Sequence, residues 1–173
     1  MKIILIGASG TLGKAVANEL GPRHEIIRVG RNSGDLRVDI TDSASIRALF
    51  EQTGGFDALI SAAGKVHFGA LAEMGEAEMA VGLKDKLMGQ VNLVLIGSQY
   101  ANDGASFTLT TGILSEQPIV LGSSASLVNG AVEGFVRSAA LELPRGQRIN
   151  AVSPNVLVES MEGYAPFFRG FKP

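Results

Sequence analysis

Short apolar runs alternate along the chain with stretches in which apolar residues recur every three or four positions. Ile3–Ile6 is an unbroken apolar run, the pattern of a strand buried on both faces. Leu12, Val16 and Leu20 follow at helical spacing, and Gly21-Pro22 ends that segment. Glu25–Val29 predicts a second strand and Arg37–Ile40 a short third one. Thr41 or Asp42 then caps a helix carrying Ile46, Leu49 and Phe50, which Gly54-Gly55 stops. Asp57–Ser61 predicts a fourth strand, residues 74–103 a helix with a weak point near Gly82, and Ser106–Thr110 a fifth strand. A long helix over 123–143 and a sixth strand at Arg148–Val152 complete the series.

Strand and helix alternate throughout, so the expected fold is α/β, a doubly wound parallel sheet with right-handed crossovers. The 173 residues form one domain, 1–173, with no internal linker or repeat beyond the alternation itself. An apolar fraction of 46% against 18% charged suits a sheet covered by helices on both faces.

Charge and composition narrow the partners. A net charge of −2 and a pI near 5.7 give no basic footprint for nucleic acid. With no cysteine there is no disulfide or thiol chemistry, and two distant histidines make no metal cluster. No stretch approaches the ~20 apolar residues of a membrane span, and the first apolar run stops at a glycine turn, not a cleavage site. The expectation is a soluble, cytoplasmic protein with a small-molecule substrate, no nucleic acid, no membrane and no metal.

Gly7, Gly10 and Gly13 stand between the first strand and the first helix, where a phosphate-binding turn belongs. Glycine permits the tight turn, and the helix N-terminus offers N–H groups and a partial positive charge to a pyrophosphate. Two other phosphate or nucleophile motifs fail by counting. A P-loop would need glycine five residues before Gly13 and Ser or Thr after Lys14, but Ala8 and Ala15 are there. A nucleophile elbow would need glycine two residues before and after its serine, and Gly7-Ala8-Ser9-Gly10-Thr11 does not comply.

At the end of the second strand an acid would hold a ribose 2′-hydroxyl. Here stand Gly30-Arg31-Asn32-Ser33, a guanidinium able to pair bidentately with a phosphate beside two neutral donors. The cofactor expected is NADP(H).

Five segments together resemble one family. Gly7-Ala8-Ser9-Gly10-Thr11-Leu12-Gly13 is similar to the glycine turn of the short-chain dehydrogenase/reductases, with Thr11 in place of the middle glycine. Asp39-Ile40-Thr41-Asp42 resembles the family segment whose aspartate contacts adenine, and Ser61-Ala62-Ala63-Gly64 its N-[NA]-A-G. Residues 131–135 and 140–143 resemble the helix after the catalytic lysine, and Arg148-Ile149-Asn150-Ala151-Val152-Ser153-Pro154 the run before the final segment, Asn155 replacing glycine. The resemblance implies a Rossmann fold in which Ser9, Thr11, Leu12, Asp39, Ile40, Ala62, Ala63, Gly64 and Pro154 join the cofactor site, and a homodimer or homotetramer.

It also implies catalytic positions that this chain fills differently. The family's Tyr and Lys, four residues apart, correspond to Ala125 and Asn129, and no Y-x-x-x-K occurs anywhere. Thr111 fits the hydroxyl position after the fifth strand, and Lys86, three residues before Gly89, falls where the family has Asn. Three readings stay open. Lys86 and Thr111, with Ser124 or Ser126, form a substitute acid; or the substrate is an enone or imine needing little acid help; or the chain binds the dinucleotide without chemistry, as a sensor or scaffold. His67, just past Ala63-Gly64, stands at the pocket mouth or is a plain loop histidine. After Val152 only 21 residues remain, with Phe167, Phe168 and Phe171 clustered and no pattern of a seventh strand.

Overall fold

The computed structural model describes residues 1–164 and Phe167. Six parallel strands, β1 (Lys2–Ile6), β2 (Glu25–Gly30), β3 (Leu36–Arg37), β4 (Ala58–Ser61), β5 (Ser106–Thr110) and β6 (Arg148–Val152), form one sheet in the order β3-β2-β1-β4-β5-β6. That is the doubly wound order, reversing direction between β1 and β4. In register, Ile4 faces Ile27 on one side and Leu59 on the other, so the apolar runs of the central strands stack across the sheet.

One face is covered by α2 (Ser43–Thr53), α4 (Met88–Gly97) and α5 (Ser123–Glu142). They bury Ile46, Phe50, Leu93 and Val132 against Ile4, Ile6, Leu59 and Phe107. Phe50 stacks on Phe56 and Tyr100 within that core, which places Tyr100 away from any site. On the other face, α1 (Thr11–Leu20) packs Val16 and Ala17 over Leu5, Ile26 and Ile60. Helical cover on both faces, expected from composition, stops there: among the described residues Ser106, Thr108, Arg148 and Asn150 present a polar second face on β5 and β6. Those strands alternate apolar inward and polar outward, the pattern of a sheet wetted on one side. No helix among the described residues is long and apolar enough to cross a membrane.

Two expected elements differ. The third strand is only Leu36–Arg37 rather than Arg37–Ile40. Asp39 bends the chain instead: its carboxylate accepts from the Thr41 N–H at 3.0 Å and its carbonyl from the Asp42 N–H at 3.1 Å, while Val38 and Ile40 stay in the core. The helix expected over 74–103 divides at its glycine. It starts at α3 (Glu76–Gly82), passes through a π-helical turn at Leu83–Leu87, and ends with α4 at Gly97. Phe168 and Phe171 lie outside the described residues.

Asp42, one of the two expected caps, is the N-cap of α2, its carboxylate accepting from the Ala44 N–H at 2.9 Å. Asp42→Ala should cost about 1 kcal/mol of stability, read as a lower urea midpoint at unchanged slope.

Candidate active site

The reversal of strand order between β1 and β4 opens a cleft at the carboxyl ends of the strands, and the glycine turn lies at its floor. Gly7 has φ +81°, and a Cβ there would stand 2.5 Å from the Ala62 carbonyl oxygen. A Cβ on Gly13 would strike the Gly7 carbonyl oxygen and come within 2.8 Å of the Ala8 Cα. Both positions therefore need glycine, one for conformation and contact, the other for contact alone. Gly10 is the N-cap of α1 and supplies no side chain to the first turn. Its N–H groups, unpaired within the helix, face outward beside the exposed Ser9 and Thr11. Such a cradle fits a pyrophosphate.

Two cavities line up along the cleft and share Gly64 and Lys65. The smaller, about 120 Å³, is walled by Gly7, Gly30, Arg31, Ile40 and Ala63. Arg31 reaches it already paired: its Nη2 donates to Asp39 Oδ2 at 2.5 Å. Hydrogen bonds from the Thr41 hydroxyl, Arg31 and the Thr41 backbone hold the Asp39 carboxyl down to about 2. Asp39 thus aims the guanidinium along the cavity rim, and a guanidinium has five donors. Asn32 and Ser33 are exposed beside this cavity and do not line it.

The larger cavity, about 520 Å³, is lined by Leu12, Ala62 and Pro154 at its inner end and by Val66, Phe68, Ile113 and Leu114 around its apolar wall. Lys86, Thr111, Ala125 and Asn129 meet in it. Lys86 rides on the π-helical turn, a local widening that often marks functional positions. Gly64, at φ +143°, leaves room for its stem: a Cβ there would lie 2.6 Å from Lys86 Cγ. The Nζ donates to the Thr111 carbonyl at 2.8 Å and to Asn129 Oδ1 at 2.7 Å. Desolvation pushes the Lys86 ammonium down to about 8.

Thr111 is buried at the cavity edge, but its hydroxyl is directed to the Val152 carbonyl at 3.3 Å, and it is the Thr111 carbonyl that meets Lys86. Ala125 lines the cavity as a bare wall. Ser124 and Ser126 are not among the residues lining this cavity, and their hydroxyls find no partner among the described residues. His67 does not line it either.

Three features escaped the sequence reading. Gln90 is wholly buried; its Nε2 donates to the Lys86 and Thr110 carbonyls at 3.1 and 3.0 Å, and its Oε1 accepts from the Thr110 N–H at 2.9 Å. This amide ties the π-helical turn to β5. The available signal was a glutamine in a largely apolar helix, four residues after Lys86. The others are the Arg31–Asp39 pair and Tyr164, which lines the larger cavity.

Comparison with known proteins agrees with this geometry. A family model described as Enoyl-(Acyl carrier protein) reductase matches residues 11–172. The chain belongs to the short-chain dehydrogenase/reductase family. The crystal structure of the protein lin1944 from Listeria innocua is similar at a TM-score of 0.98 and 55% identity, over 100% of this chain and 86% of that one. A small-chain dehydrogenase crystallised with NADPH is similar at 0.85 and 28% identity, over 94% and 74%. A short-chain dehydrogenase/reductase from Vibrio parahaemolyticus shares the fold at 0.79 and 22% identity, over 88% and 75%. No curated protein sequence matches the chain.

Within this family's frame, Gly7→Val and Gly13→Val should each weaken dinucleotide binding at least about 100-fold, ~2.7 kcal/mol. Gly10→Ala should keep most of the affinity, since its Cβ would lie 3.4 Å from the nearest backbone atom. Fluorescence titration with NADPH checks all three.

Proposed function

We propose that the protein is an NADP(H)-dependent oxidoreductase that transfers hydride to a small carbonyl, enone or imine, with Lys86 as the proton donor. The observation that carries this reading is the Lys86 ammonium enclosed in the wall of the larger cavity. An ammonium has three N–H bonds. Two are directed to protein oxygens, and because Lys86 also lines the cavity we assign the third to the substrate.

The glycine cradle, the Arg31 rim and the two connected cavities fit NADP(H), whose adenosine phosphate would lie at Arg31 and whose nicotinamide end would enter the larger cavity. Bound there, the cofactor supplies the hydride. As the carbonyl π bond opens, the oxygen gains charge and takes a proton from Lys86 Nζ, which is reprotonated from solvent at the cavity mouth. A donor titrating near pH 8 is well matched to that task, whereas a free lysine holds its proton too tightly. Thr111 serves first through its carbonyl; its hydroxyl reaches substrate only by rotating away from Val152. The apolar wall favours substrates with a small hydrocarbon body. The exposed Leu95, Leu127 and Leu141 on α4 and α5 support a homodimer or homotetramer through these helices, and the absence of cysteine supports a cytoplasmic location.

Lys86→Met should lower kcat about 10²–10⁴-fold, the range of a well-placed general acid, with NADPH affinity retained. The acid must be protonated, so the natural rate should be level below pH ~8 and fall above it, a limb that Lys86→Met removes. NADPH oxidation against a panel of carbonyls, enones and imines reads both effects. A protein that only binds the dinucleotide would show neither.

Arg31→Glu should erase or invert a preference for NADPH over NADH of about one to two decades, the value of a charge-assisted phosphate pair. Paired titrations with the two dinucleotides check it.

A further inference from the structure

Asn129 is buried on α5 and has both ends of its amide engaged. Its Nδ2 donates to the Gly112 carbonyl at 3.1 Å, which fixes Oδ1 as the end that accepts from Lys86 Nζ at 2.7 Å. Rotating the amide by half a turn would set an NH₂ against the ammonium and lose both bonds. The Thr111 carbonyl takes the second N–H at 2.8 Å, and it is rigid, since Thr111 is itself pinned by its N–H to Val152 at 2.9 Å. With two of three tetrahedral directions set, the direction of the third follows.

We infer that Asn129 is a positioning residue for the proton donor, its locked amide turning the Lys86 ammonium so that the remaining N–H faces the substrate cavity. The position that looked vacant beside the family pattern thus has a task of its own. This inference rests on the proposed role of Lys86 in hydride transfer. Among the described residues, the oxygens that hold the ammonium are neutral ones, the Thr111 carbonyl and Asn129 Oδ1. The neighbouring carboxylates are engaged elsewhere, Asp85 with the Lys65 N–H at 2.8 Å and Glu133 with the Ser115 hydroxyl at 2.6 Å. Lys65 and Tyr164 line the same cavity. A carboxylate introduced at residue 129 would therefore be the first anion in contact with it.

The test pairs Asn129→Asp, which keeps the shape and the acceptor, with Asn129→Leu, which keeps the volume and removes the acceptor. Asn129→Asp should keep the low-pH rate within about tenfold and move the alkaline limb up by at least about one unit, as an opposite charge in contact does. Asn129→Leu should lower the rate at every pH at least about tenfold and move the limb down. The midpoint of Lys86 measured by ¹³Cε NMR on the full chain should shift in the same directions, with NADPH affinity unchanged in both variants. A limb and an NMR midpoint that stay in place in Asn129→Asp would overturn the inference, whatever happens to stability. Should the natural protein consume no NADPH with any substrate, the proposed function fails, and the NMR midpoint alone decides whether Asn129 orients the ammonium.

Discussion

An ammonium held out of bulk water is the constraint around which the site is organised. Withdrawing a charge of that size from water costs several kcal/mol even after the surroundings relax, so it persists only where acceptors stand ready. Three parts of the chain supply the conditions for it. The π-helical turn carries Lys86 inward, β5 presents the Thr111 carbonyl, and α5 presents the Asn129 amide. Gln90 couples the first two by bonding backbone of both. The helix break near Gly82 and the buried glutamine, taken singly, look like local irregularities. Together they are the scaffold that holds one ammonium in the cavity wall.

The glycine-turn half of the cleft is built on a different principle. There the donors are backbone N–H groups, and what matters is the absence of side chains at Gly7 and Gly13. Arg31 brings charge to the far end, and it is shared with Asp39. Hydrogen bonds from Thr41 and Arg31 hold the Asp39 carboxyl down to about 2, so it is an anion facing the guanidinium at neutral pH. The guanidinium is thereby held ready instead of sweeping through solvent, which lowers the entropy lost when an anion binds.

Much of this was legible in the sequence because it depends on spacing along one segment. Apolar runs and glycine punctuation located six strands and the phosphate turn, since each is set by residues within about ten positions. What was missed depends on partners far apart in the chain. The third strand was drawn too long because Val38 and Ile40 are apolar for the core, while Asp39 between them turns the backbone. Arg31 and Asp39 were assigned separate duties, since nothing in either segment announces the other. Asn129 was marked as a missing lysine for a similar reason. Comparing positions one by one shows what a residue has replaced, whereas its use here is defined by Lys86, 43 residues away.

Gly64 gives this arrangement its room. It belongs to both cavities, and the space above its Cα is filled by the stem of Lys86. A side chain at residue 64 would strain the backbone and also press on the lysine stem, so stability and the placement of the ammonium would suffer together. Glycine is demanded at residue 64 by its own backbone, at φ +143°, and the room that this leaves above its Cα is the room the lysine stem occupies.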